Sequence, residues 1–126
     1  MDIVLWVVQV VLAAAFLAAG VMKLVQNRES LKSRMAWVED VNAAGVKTIG
    51  SLEFLGAAGL ILPGVLHFAP VLTTLAALGL ALTMVGALIV HLRRSEGGHT
   101  FAPIILLILA VFVLWGRAGP YPLLLH

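Results

Sequence analysis

The chain has 126 residues, 62% of them hydrophobic and only 11% charged, with a formal net charge of +2. A soluble domain carries about 25% charged residues, so this is a membrane composition, and the length allows one domain with no separate soluble one. The small net charge argues against nucleic acid as a partner, and the lack of cysteine removes disulfides, thiol catalysis and thiolate metal sites.

Met1 and Asp2 offer no basic stretch, and the apolar run behind them is too long for the core of a secretory signal, so it reads as a retained span. That first span is expected over residues 3–25, because about 20 apolar residues cross a bilayer as a helix. Gln9, Phe16, Gly20 and Lys23 fall near one face by helical periodicity. Lys23 has two readings, a side chain snorkelling at the membrane edge or one whose flexible stem reaches inward.

Residues 26–44 are polar and do not span. Leu31, Met35 and Val38 recur at helical spacing, with Asn27 placed to cap the start and Trp37 an interfacial residue type. A short amphipathic helix lying on the membrane is expected, with a solvated loop as the alternative.

The second span is expected over residues 45–62, ended by Pro63 and Gly64. It carries Glu53 well inside an apolar run, where a carboxylate costs a few kcal/mol or more unless it is paired or neutral. On a helix its neighbours three and four residues away are Ile49, Gly50, Gly56 and Ala57. Three of these are small and admit a close helix, so Glu53 should face the protein interior. The short link around His67, an expected exposed turn residue, makes spans two and three antiparallel neighbours.

The third span is expected over residues 68–92, with Pro70 in its first turn and Arg93 and Arg94 closing it. Gly79, Thr83 and Gly86 form a small-residue stripe suited to close packing, with Met84, Ala87 and His91 on an adjoining face. Thr73, Thr74 and Thr83 are expected to bond their own helix backbone. The fourth span is expected over residues 101–117, with Pro103 in its first turn and Trp115 anchoring its far end. Pro120 and Pro122 make the tail non-helical. The expected fold is an all-α, up-and-down four-helix membrane bundle forming one domain over residues 1–126.

Lys23, Arg28, Lys32, Arg34, Lys47, Arg93 and Arg94 fall at one side of this topology, and Arg117 alone falls at the other. Basic residues in short loops are retained in the cytoplasm, which places both termini outside (periplasmic in a bacterial inner membrane) and residues 26–44 and 95–100 inside. Trp6, Trp115 and Tyr121 then form an outer aromatic belt.

Lys23, Glu53 and His91 share the inner half of this arrangement, and pairing of Glu53 with Lys23 or His91 would relieve its burial. Gln9 and Arg117 are expected to make a second, weaker polar site in the outer half. Two readings of Glu53 stand side by side: a residue that fixes helix register, or an acid/base pair with His91 over a lipid-accessible pocket. A metal site at His91 is not expected, since Glu53 and His99 are the only further ligands on offer.

The first span closes on Phe16-Leu-Ala-Ala-Gly-Val-Met-Lys-Leu24, and the second runs Ile49-Gly-Ser-Leu-Glu-Phe-Leu-Gly-Ala-Ala-Gly-Leu-Ile-Leu-Pro63. Ala76-Ala-Leu-Gly-Leu-Ala-Leu-Thr-Met-Val-Gly-Ala87 then leads to His91-Leu-Arg-Arg94, and Val113-Leu-Trp-Gly-Arg117 ends the fourth span. In this order and spacing they resemble the DoxX-like family of small four-span bacterial membrane proteins. The resemblance implies a compact bundle, with Lys23, Glu53, His91 and Arg117 at polar positions of family-like motifs. It also implies a link to redox systems, because the name-giving members are associated with a thiosulfate:quinone oxidoreductase.

The functional expectation is a module binding quinone or another lipophilic small molecule, as a subunit of or accessory to a membrane redox system. Its candidate ligand-binding residues are Lys23, Glu53, His91, Gln9 and Arg117. No intrinsic cofactor is expected, and electrons would require a bound quinone or a partner redox protein. The alternatives are an acid/base enzyme, an isomerase or cyclase, using Glu53 and His91 on a lipophilic substrate, and a structural protein assembling through its small-residue faces. On any of these readings the expected partners are membrane lipid and a partner redox protein or a homo-oligomer.

Overall fold

The computed structural model describes residues 1–25, 43–93 and 101–123. They form four helices, α1 (Asp2–Val25), α2 (Ala43–Leu66), α3 (Val71–Arg93) and α4 (Phe101–Ala118). All four are long and apolar enough to cross a membrane. The amphipathic helix expected over residues 26–44 lies outside the described residues apart from Ala43 and Ala44, which open α2, and residues 95–100 lie outside as well.

Neighbours in sequence are neighbours in space. α1 packs on α2, α2 on α3 and α3 on α4, and a smaller α1–α4 contact closes the ring. The bundle is therefore up-and-down, with the start of α1 and the end of α4 at one end, called here the terminal end. Lys23, Lys47 and Arg93 lie toward the opposite, basic end.

The interior is filled by apolar side chains from all four helices: Leu12 and Phe16, Ala57 and Leu60, Ala77 and Leu80, Ala110 and Val113. Large apolar residues such as Val7, Leu55, Leu82 and Ile108 point outward, as expected where the solvent is acyl chain. Without a hydrophobic gain from lipid, helix contacts depend on close van der Waals fit. At Gly20 an added Cβ would stand 2.7 Å from the Gly50 carbonyl oxygen, and at Gly56 one would stand 2.6 Å from Leu80 Cδ2. These glycines let α1 and α3 approach α2 on either side of Glu53.

Two expectations are corrected at the end of α2. Pro63 does not end the helix; it lies inside it, and α2 continues to Leu66. A proline inside a helix leaves the carbonyl four residues back without its N–H partner. That carbonyl belongs to Gly59, and the Thr73 hydroxyl of α3 donates to it at 2.9 Å. Thr73 thus bonds the neighbouring helix, not its own as expected, whereas Thr83 does bond its own helix at Gly79 O, 2.9 Å away. The stop comes four residues after Pro63. His67 adopts a left-handed φ of 54°, and the Phe68 amide donates back to Pro63 O at 3.1 Å, closing a Schellman cap. His67 is exposed, as expected.

The stripe of Gly79, Thr83 and Gly86 is a third correction. Nothing lies within 4 Å of a Cβ placed on Gly79 or Gly86, so these two glycines of the stripe pack against none of the described residues.

Candidate functional site

Two polar clusters occupy the bundle, one toward each end. At the basic side, Lys23 in the last turn of α1 reaches Glu53 in α2, with Nζ 2.7 Å from Oε1. The side chains are only 7% and 3% exposed. The close passage of Gly20 over Gly50 sets this distance, because a Cβ on Gly50 would stand 2.8 Å from Lys23 Cβ. Lys23 therefore turns inward and does not snorkel. Lys47 donates to Leu24 O at 2.8 Å, which satisfies a carbonyl in the last turn of α1 and puts a cation at the negative end of its dipole. Among the described residues, the ion pair of Glu53 is made with Lys23; His91 stands half-buried near the end of α3 with contacts of its own.

The second cluster sits at the terminal end and joins three helices. Gln9 of α1 donates from Nε2 to Leu60 O of α2 at 2.6 Å. Its Oε1 accepts from Arg117 Nε of α4 at 2.7 Å. Arg117 Nη1 donates to Asp2 Oδ1 at 2.6 Å and to Tyr121 O at 3.0 Å. The guanidinium also lies over the Trp6 ring, 5.7 Å from its centroid. The Arg117 side chain is wholly buried while that of Asp2 is 64% exposed. Arg117 Nη2 is buried without a hydrogen-bond partner.

Sequence reasoning placed Gln9 and Arg117 together and missed Asp2. The signal was available: in a chain of four spans, residue 2 and residue 117 lie at the same end with opposite charge. The backbone carbonyls of Leu60 and Tyr121 carried no such signal.

Beside this network is a cavity of about 500 Å³ lined by Asp2, Trp6, Gly64, His67, Tyr121 and Leu123, with Pro120 and Pro122 completing the wall. It exists because the tail folds back. The Tyr121 amide donates to Gly116 O at 2.8 Å, and Trp6 lies against Gly64. Trp115 packs edge-on to Tyr121 with ring centroids 5.9 Å apart, so the three aromatic residues expected to form a belt gather at this end.

The model of the DoxX-like family matches residues 7–113, most of the chain. The chain belongs to the DoxX-like family. It is a multi-pass membrane protein with the bundle described above. Comparisons with curated proteins and with solved structures give no match. Of the residues singled out in this DoxX-like protein, Gln9, Lys23, Glu53 and His91 fall within the matched stretch, whereas Asp2, Trp6 and Arg117 fall outside it.

Proposed function

We propose that this DoxX-like protein is a binding module for a lipophilic small molecule of the quinone kind, held at the terminal end of the bundle for a partner redox protein. The cavity beside Arg117 carries the reading. Its volume of about 500 Å³ is that of a small-molecule site, which typically spans about 300–1,000 Å³. Its walls suit a flat ring with an apolar tail: Trp6 and Tyr121 offer aromatic surface, Leu123 an apolar edge, and His67 a polar contact. Lys23 and Glu53, by contrast, already satisfy one another in a buried pair, and in this reading they hold α1 to α2.

The charge distribution supports an outward-facing cavity, because seven of the eight basic residues belong to the other side. A cysteine introduced at Phe68, beside the cavity rim, should react with an impermeant maleimide added to intact cells. Reaction only after the cells are broken open would reverse the orientation.

The reading is tested with a photoreactive short-chain quinone and the protein in lipid nanodiscs. Labelling should be competed by excess unlabelled quinone and should map to peptides containing Trp6, His67 or Tyr121. Competed labelling confined to peptides around Glu53 and His91 would move the site into the bundle interior, and labelling that competitor does not reduce would remove the quinone proposal.

A further inference from the structure

Arg117 presents an unequal ion pair. Its guanidinium is fully buried, yet the carboxylate that neutralises it belongs to Asp2, which is mostly exposed. Five N–H groups make up a guanidinium. Nε serves Gln9 and Nη1 serves Asp2 and the Tyr121 carbonyl, while Nη2 has no acceptor. A buried donor without a partner is rare in native proteins because its desolvation goes uncompensated. A planar guanidinium is shaped to take two oxygens of one anionic group side by side. Asp2 supplies one such oxygen at 2.6 Å, and Asp2 is also part of the cavity wall. An oxyanion entering through the cavity would therefore arrive where Asp2 now stands.

We infer that Arg117 is the anchor of this cavity and that Asp2 is an internal, exchangeable stand-in for the anionic oxygen of the ligand. The inference rests on the binding reading above and narrows it. The preferred ligand is a lipophilic molecule whose ring or head bears an ionised oxygen, and it displaces the Asp2 carboxylate from Nη1 and engages Nη2. The neutral oxygens of Gln9 and Tyr121 keep the guanidinium oriented while the exchange takes place. No covalent step is involved.

The test compares two probes binding to the protein in nanodiscs of uncharged lipid: a neutral alkyl naphthoquinone and its 2-hydroxy analogue, an anion at neutral pH. The wild-type protein should prefer the anion. Asp2→Asn removes the competitor's charge and should tighten binding of the anion by about fivefold, the range of an ion pair whose anion is exposed to solvent. Asp2→Glu should restore the wild-type affinity. An anion that binds Asp2→Asn no better than wild type, or equal affinity for the two probes, overturns the exchange while leaving the binding reading intact. Failure of both probes to bind either protein overturns both. Repeating the titration in nanodiscs doped with an anionic phospholipid identifies the source of the oxyanion. Competition by the phospholipid that grows in Asp2→Asn would assign the site to a lipid head group, which keeps the exchange and replaces the quinone.

Discussion

Two ion pairs of nearly equal length, 2.7 Å between Lys23 and Glu53 and 2.6 Å between Arg117 and Asp2, do different work in this bundle. In the first, both partners project from within long helices and both are buried, so either charge removed leaves the other stranded in a medium that cannot solvate it. In the second, the cation is buried and the anion has most of its surface exposed. The first pair is a latch between α1 and α2. The second is a lock with one movable part, placed against a cavity. Distance alone does not distinguish them; the burial of each partner does.

The largest effect should come from breaking the latch on one side. Lys23→Met leaves Glu53 buried and unpaired and should destabilise the protein by about 3–5 kcal/mol. Adding Glu53→Gln should recover much of that loss, because the pairwise term appears as non-additivity. Thermal unfolding in one detergent reads all three variants, and a double mutant whose loss equals the sum of the single losses would mean that the pair contributes nothing.

An intermediate effect is expected from the backbone contact that sets the latch. At Gly20 a methyl group meets the Gly50 carbonyl and the Phe54 amide, neither of which can swing aside, so Gly20→Ala should cost about 1–3 kcal/mol. Gly79 is the control. Its surroundings are open, so Gly79→Ala should gain about 0.5–1 kcal/mol from lowered backbone entropy alone. A loss at Gly79, accompanied by a change of oligomeric state in detergent, would show that another chain covers that face.

The smallest effect on stability belongs to the movable part. Asp2→Asn removes a charge largely screened by solvent and keeps a side-chain oxygen that can accept from Arg117 Nη1, so it should cost about 1 kcal/mol, less than either break of the latch. A loss as large as that of Lys23→Met would show that Asp2 is as fixed as Glu53, and the contrast between the two ends would disappear.

The sequence by itself determined the four spans, their order around the ring and the inward direction of Glu53. Each follows from local quantities: the length of an apolar run, the spacing of small residues, the shortness of a link. It also narrowed the partner of Glu53 to Lys23 or His91, and only the approach of Gly20 to Gly50 across two helices selected Lys23. Pro63 misled for the same kind of reason. Its effect on its own helix is local, but the donor that compensates it, Thr73, arrives from α3. Small residues read alike along the chain, yet Gly56 meets Leu80 while Gly79 meets nothing, because a stripe acquires a partner only when the helices take their places. The terminal-end cavity was least legible of all. Its walls come from the start of α1, the segment after α4 and the α2–α3 turn, segments far apart in sequence that only tertiary packing brings together.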